Sequence, residues 1–183
     1  MEDGRMEIEM NLKDAEKIYK ENNCSLFIMS REDFDNYLLY KQMDISVETE
    51  KRWRSEEIEK TNNLLRKSGD ILLYNKLYEL ASPIHDKHYL DILTEAMKNI
   101  KFRDNLDTLT LVETILGRKP LESRSGLIFW AFDIGEEKLA EHMLNKAKEY
   151  IDILHDVGQR DQKRIERDKK KISEIKNMLA KAR

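Results

Sequence analysis

Histidine side chains at helical spacing are the first residues of this chain that could bind a metal. His85 and His88 lie three residues apart, and on a helix that spacing would place both imidazoles on one face, where they could hold a transition metal. The pair directly follows Pro83, however, and Ser82 or Asp86 is a natural helix cap at that point. The favoured interpretation is therefore a capping loop rather than a metal site.

A second histidine motif, His155-Asp156, lies near the C-terminal end of the sequence. An adjacent His-Asp pair at a helix end resembles the hallmark of the HD-type metal phosphohydrolases, an all-helical family. The resemblance implies a divalent metal that activates water, with further ligands from an upstream histidine and a downstream aspartate. His142 lies thirteen residues upstream, and only Asp161 and Asp168 follow. We favour a surface pair, and an HD-like phosphohydrolase is the second alternative.

Other candidate reactive groups have simpler structural interpretations. Cys24 could act as a nucleophile only beside a histidine, and within the apolar run 24–29 we expect it to be a small buried residue. Residues 123–126 precede an apolar helix whose N-terminus could hold an anion, although a plain cap is favoured. No glycine-rich phosphate loop occurs. The sequence therefore predicts no catalytic residue, no metal, no cofactor and no enzymatic activity.

Basic residues are concentrated at the C-terminal end of the sequence. Residues 160–183 hold ten Lys or Arg and four acids, a net +6, which leaves −9 on residues 1–159. Such a segment can bind nucleic acid, an anionic membrane surface or an acidic partner, but a solvated helix face is the favoured interpretation. In the nucleic-acid alternative the contacting residues are Arg160, Lys163, Arg164, Arg167, Lys170 and Lys171.

A smaller basic cluster surrounds Trp53, which lies among Lys51, Arg52 and Arg54. The indole could anchor a partner or a nucleic acid beside these cations. It could equally pack inward while the cations flank it at the surface. We favour the inward orientation.

The composition limits the fold class. Among 183 residues there are only 6 Gly, 2 Pro and 1 Cys, too few for the turns of an all-β fold or for a disulfide framework. No run of 18 apolar residues occurs, and no apolar stretch follows a basic start. We therefore expect a cytoplasmic protein without a membrane partner. The content of Lys, Glu, Ile and Asn is compatible with a bacterial source.

Apolar residues at helical spacing predict eight or nine helices joined by short turns. Ser30 to Asp33 is typical of a capping box and predicts the start of a helix with Phe34, Tyr37 and Leu38 on its apolar stripe. The other predicted helices cover about 12–22, 46–67, 72–81, 86–100, 106–116, 127–134 and 139–154.

These elements predict an all-α fold. Short connections favour antiparallel helical hairpins, arranged as a solenoid or an irregular bundle, with a long C-terminal helix. The predicted domains are a helical body over residues 1–157, which could divide into 1–69 and 70–157, and a basic amphipathic helix over 158–183.

Small residues near one predicted turn resemble a known helical repeat. Gly135, Ala140, Leu144 and Ala147 have the spacing of the turn and second helix of a tetratricopeptide repeat. The resemblance covers residues 135–147 and implies a tight hairpin packed through small side chains. The first helix departs from the pattern, since residues 124, 128 and 131 are Arg, Ile and Ala where the family has Trp, Gly and Tyr.

The C-terminal segment also carries a heptad seam, typical of a coiled coil. Its apolar members are spaced three and four residues apart, and they need a partner surface. We therefore predict a non-catalytic helical interaction module: an adaptor, an immunity or inhibitor partner, or a small subunit. It would bind a protein partner, or a second copy, through the C-terminal helix. The predicted protein-binding residues are Ile165, Ile172, Ile175 and Leu179.

Overall fold

The computed structural model describes residues 11–103, 105–117 and 126–153 of the chain. Within these ranges every regular element is helical, so the all-α prediction is confirmed. None of these helices is long and apolar enough to cross a bilayer. The α-helices are α1 (Leu12–Glu21), α2 (Leu26–Glu32), α3 (Phe34–Gln42), α4 (Val47–Ser68), α5 (Ile71–Ala81), α6 (Lys87–Ala96), α7 (Asn105–Leu116), α8 (Leu127–Asp133) and α9 (Glu137–Ile153).

The chain forms two compact units, Met1–Thr61 and Asn62–Arg183. Unit 1 contains α1, α2, α3 and the first part of α4. Unit 2 contains the end of α4 and the helices from α5 to α9. The predicted hairpin or solenoid arrangement, the domain boundaries and the long C-terminal helix stay predictions.

Local polar caps fix the starts of α1 and α2 in unit 1. The Asn11 side chain accepts hydrogen bonds from the backbone N–H groups of Lys13 and Asp14, at 2.9 and 3.1 Å, as an N-cap does. Cys24 has a left-handed backbone with φ 53°, and Ser25 then caps α2 by accepting from the N–H of Ile28. The apolar run 24–29 is therefore part connector and part helix.

The predicted start of α3 is wrong, because the residues expected to cap it belong mostly to the preceding short helix, α2. Ser30 lies inside α2, where its hydroxyl donates to the carbonyl of Phe27 at 2.9 Å. The helical conformation is interrupted at Asp33, whose backbone (φ −146°, ψ 61°) is not helical, and α3 begins at Phe34. The Asp33 carboxylate accepts from the Asn36 amide at 2.9 Å. The capping-box pattern was misleading because Ser30 to Glu32 form the end of α2 and Asp33 lies between the two helices, where its side chain makes no cap hydrogen bond.

Buried apolar side chains hold α5 against α6 and α7 in unit 2. Tyr74 and Leu77 are fully buried, and the Tyr74 hydroxyl donates to the carbonyl of Leu93 in α6 at 3.2 Å. On the α7 side, the Thr114 hydroxyl donates to the Asn75 side chain at 3.2 Å. The apolar stripe of α5 thus meets two neighbouring helices.

The first turns of α5 and α7 do not bury the residues that apolar spacing favours, whereas Leu77 and Leu80 of α5 and Ile115 of α7 are buried as that spacing predicts. Leu72, the first apolar residue of the predicted helix 72–81, has 67% of its surface exposed, whereas Ile71 and Tyr74 point inward. Leu106 is likewise exposed, and Leu111 is buried in its place. Both helices are apolar on more than one side, so periodicity alone does not decide which side faces the core.

Two glycines allow the turns around α8. Gly126 has φ +108°, and a Cβ atom there would lie 2.5 Å from the backbone nitrogen of Gly117. This close approach joins the end of α7 to the start of α8. Gly135, with φ +78°, turns the chain between α8 and α9. Ala140 and Ala147 are buried on α9, and these small side chains let α8 and α7 pack closely against it.

Candidate functional site

The residues predicted to bind a protein or nucleic acid lie outside the described part of the chain. So do His155 and Asp156, while His142 is exposed on α9. Their roles stay predictions. The residues concerned are Ile165, Ile172, Ile175, Leu179, Arg160, Lys163, Arg164, Arg167, Lys170 and Lys171.

His85 and His88 have separate structural roles. His85 has a left-handed backbone with φ 47°, and its ring stacks on Trp130 with centroids 5.4 Å apart. His88 lies in the first turn of α6, where its N–H donates to the Asp86 cap at 2.7 Å. The capping-loop interpretation is confirmed. Within the described ranges, no group of three or more His, Cys, Asp or Glu is arranged to hold a metal ion.

Cys24 and Trp53 are both part of the core of unit 1. Cys24 has no exposed surface and Trp53 is almost fully buried, so both predictions of inward packing are confirmed. The Trp53 ring lies 6.0 Å from that of Tyr19. Neither side chain is presented to a substrate or to a partner.

Arg54 organises a polar network behind this core. Its guanidinium donates to the Tyr19 hydroxyl at 3.1 Å and also to the backbone carbonyl of Cys24. The Tyr19 ring stacks on that of Tyr40 with centroids 5.6 Å apart, and the Tyr40 hydroxyl donates to Glu50 at 3.0 Å. The network ties α1, α3 and α4 together.

Burial keeps both tyrosines of the network protonated by raising their pKa, although the Arg54 hydrogen bond opposes that rise at Tyr19. Burial raises the pKa of Tyr19. Burial also raises the pKa of Tyr40. The Glu50 carboxylate, which accepts a hydrogen bond from the Tyr40 hydroxyl, raises this pKa further, because a phenolate beside a carboxylate is disfavoured. Neither phenol therefore becomes a nucleophile near neutral pH. Their role is to hold α3 against the rest of unit 1.

The side of α3 opposite to Tyr40 is an exposed apolar surface, which the search for reactive residues in the sequence did not identify. Tyr40 faces inward and is 2% exposed, whereas Phe34 and Leu38 face outward and are 56% and 45% exposed. The rings of Phe34 and Tyr37 stack with centroids 6.1 Å apart. We call Phe34, Tyr37, Leu38 and Lys41 the α3 outer face.

A further exposed aromatic ring lies on α2. Phe27 is 69% exposed, and the Arg31 guanidinium lies over its ring at 5.5 Å from the centroid. The sequence placed Phe34 and Leu38 on the apolar stripe of α3, and such a stripe normally faces the core. The structure buries Tyr40 instead. The signal that could have revealed this was the presence of apolar residues on both sides of the same short helix.

No protein-family model matches this chain, and the comparisons with curated proteins and with solved structures find no similar protein.

Proposed function

We propose that the protein is a non-catalytic helical interaction module that binds a protein partner through exposed apolar helix surface. The observation that carries the proposal is α3, which is apolar inward at Tyr40 and outward at Phe34 and Leu38. A helix that is apolar on both sides is typical of an enclosed position. Fully burying an exposed leucine or phenylalanine side chain contributes about 1.5–3 kcal/mol. Phe34 and Leu38 are 56% and 45% exposed, so a partner on this face would gain part of that free energy at each residue.

The structure behind the α3 outer face supports the same proposal. The stacked Tyr19 and Tyr40 rings and the Arg54 hydrogen bonds hold the inner side of α3. A binding surface on a rigid helix loses little conformational entropy when a partner docks. Exposed aromatic side chains such as Phe27 and Phe34 are also enriched at protein interfaces.

Capture of a partner from an extract of the native cells tests this proposal. The tagged full-length chain is expected to retain a protein that Leu38→Glu releases, because a carboxylate in the apolar contact is costly to desolvate. Leu12→Glu is the matched control, since Leu12 is an exposed leucine on α1 with 55% of its surface accessible. If nothing is retained, or Leu12→Glu and Leu38→Glu behave alike, α3 is not the binding surface.

The predicted C-terminal seam would provide a second contact. We expect Ile172→Asp to disrupt partner capture or self-association without unfolding the body of the protein, because the seam positions need an external partner. Circular dichroism and thermal melting check the fold of the variant. Melting of the whole protein by this one change would show that the seam belongs to the core.

The charge distribution favours one alternative, a nucleic-acid-associated protein. The net +6 of residues 160–183 could neutralise phosphates, and binding would then weaken steeply as salt rises. Retention on DNA or RNA columns over a salt series tests this. The alternative is excluded if retention ignores salt or survives deletion of residues 160–183.

A further inference from the structure

We propose that the α3 outer face binds the same face of a second copy of this chain, with the two α3 helices antiparallel. The inference rests on the proposed function, because it names the partner of the surface described there. It follows from how charge and apolar surface are distributed along the helix.

Phe34, Leu38 and Lys41 form one stripe, since positions spaced by three and four residues share a helix face. The start of the helix is acidic, since Glu32, Asp33 and Asp35 flank Phe34 in the sequence, and Asp35, three residues before Leu38, lies at the edge of the stripe. The opposite end of the stripe carries Lys41. From Phe34 to Lys41 is about two helical turns, so the two ends of the face have opposite charge.

An antiparallel pair makes this arrangement self-complementary. When two copies pack with Tyr37 and Leu38 at the centre of the contact, Lys41 of each copy lies opposite the first turn of α3 in the other copy. Its aliphatic stem can cover the Phe34 ring while its ammonium reaches Asp35. A twofold axis repeats the contact at both ends, whereas a parallel pair would place like charges together.

The charges that this pairing needs are available. Asp35 and Lys41 are both exposed, and neither is ion-paired to another residue in the described ranges. The surface is small, because a helix of nine residues is about 14 Å long. It is smaller than a standard stable interface. The dimer is therefore reversible and depends on concentration.

Sedimentation of the full-length chain from about 1 to about 500 µM tests the proposal, a range that covers reversible association. The wild type is expected to approach twice the 21.8 kDa chain mass. Lys41→Glu alone, and the double variant Glu32→Lys/Asp35→Lys alone, are each expected to weaken self-association about tenfold or more through like-charge contacts. Mixing the two variants in equal amounts restores the dimer, since both contacts become attractive.

Lys13→Glu is the matched control, because it reverses an exposed lysine on α1 and should dimerise like the wild type. Circular dichroism confirms that each variant is folded, and the recovery on mixing separates an interface effect from misfolding. A monomer at every concentration overturns the proposal, and so does a dimer that the charge reversals leave unchanged. A monomer that still captures another protein through Leu38 overturns this inference alone and leaves the proposed function standing.

Discussion

Helix α3 in unit 1 and α5 in unit 2 are both apolar on more than one side, but only α5 is largely enclosed. α5 contacts α6 and α7, and Tyr74, Leu77 and Leu80 have no exposed surface. α3 packs on α2 and, through Tyr40, on Tyr19 of α1 and Glu50 of α4, and it leaves its outer face open. The composition of a helix thus sets how much apolar surface needs cover, and the sides from which neighbouring helices approach decide how much cover the chain itself supplies.

The largest expected effect separates the enclosed helix from the open one. Leu77→Ala should lower the free energy of unfolding by about 2–5 kcal/mol, because it leaves a cavity in a packed core. Leu38→Ala should change it by less than about 0.5 kcal/mol, since Leu38 is 45% exposed. Urea denaturation followed by circular dichroism measures both. Equal losses would mean that the outer side of α3 is as enclosed as α5.

The inner side of α3 depends on the polar network, which Arg54→Met should weaken. The substitution removes the donor to the Tyr19 hydroxyl and to the Cys24 carbonyl, and we expect a loss of about 1–3 kcal/mol. Arg52→Met is the control on the same helix: Arg52 is exposed and its nearest ion-pair partner, Glu56, is 3.9 Å away. It should cost less than about 0.5 kcal/mol. Similar denaturation midpoints for the two variants would contradict this role of the network.

In unit 2 the turn before α8 is expected to be sensitive to a single methyl group. Gly126→Ala combines a φ of +108° with a Cβ contact of 2.5 Å to backbone, and should cost more than about 1 kcal/mol. Gly135→Ala also places alanine at a positive φ, but no atom lies within 4 Å of the new Cβ. Gly126, with φ 108° and ψ 158°, lies in a backbone region that essentially only glycine adopts. The difference between their thermal melting temperatures therefore reports this backbone conformation together with the close approach of Gly126 to Gly117. Equal melting temperatures for the two variants would mean that the backbone at Gly126 accommodates the added methyl group without extra cost.

The smallest expected effect is a loss of folding stability at alkaline pH, which depends on the buried tyrosines of the two units. Burial raises the pKa of Tyr40 in unit 1, with a further rise from Glu50, and burial raises the pKa of Tyr74 in unit 2. Each phenol stays protonated in the folded state at a pH where the unfolded chain ionises, near 10. Its stabilising contribution is therefore complete below about pH 10 and is lost as pH rises further, by at most about 1.4 kcal/mol per pH unit for each group.

Denaturation at about pH 8 and about pH 11 checks this alkaline loss. Tyr40→Phe should be less stable at the lower pH, because it lacks the hydrogen bond to Glu50. It should lose less stability than the wild type between the two values. A loss identical to that of the wild type would mean that Tyr40 ionises as readily in the folded protein as in the unfolded chain.

Helix positions were the most predictable part of the fold, because their signals are local. Asn11 caps α1 and Asp86 caps α6 as the sequence predicts, and α4 ends at Ser68 before Gly69. The break at Asp33 was missed, since a capping box and a helix continuation use the same residues. The candidate site was half visible: Phe34 and Leu38 were assigned to one stripe, but the side of α3 that faces the core was assigned wrongly.

The sequence alone determined that this protein is helical in the described ranges, where the caps of α1 and α6 lie and which side chains are apolar. Those features depend on interactions within a few residues. Only the tertiary structure decided that Tyr40 faces inward while Phe34 and Leu38 face outward, and that Leu72 gives way to Tyr74 on α5. The choice depends on which other helices are within reach, and local periodicity carries no information about them.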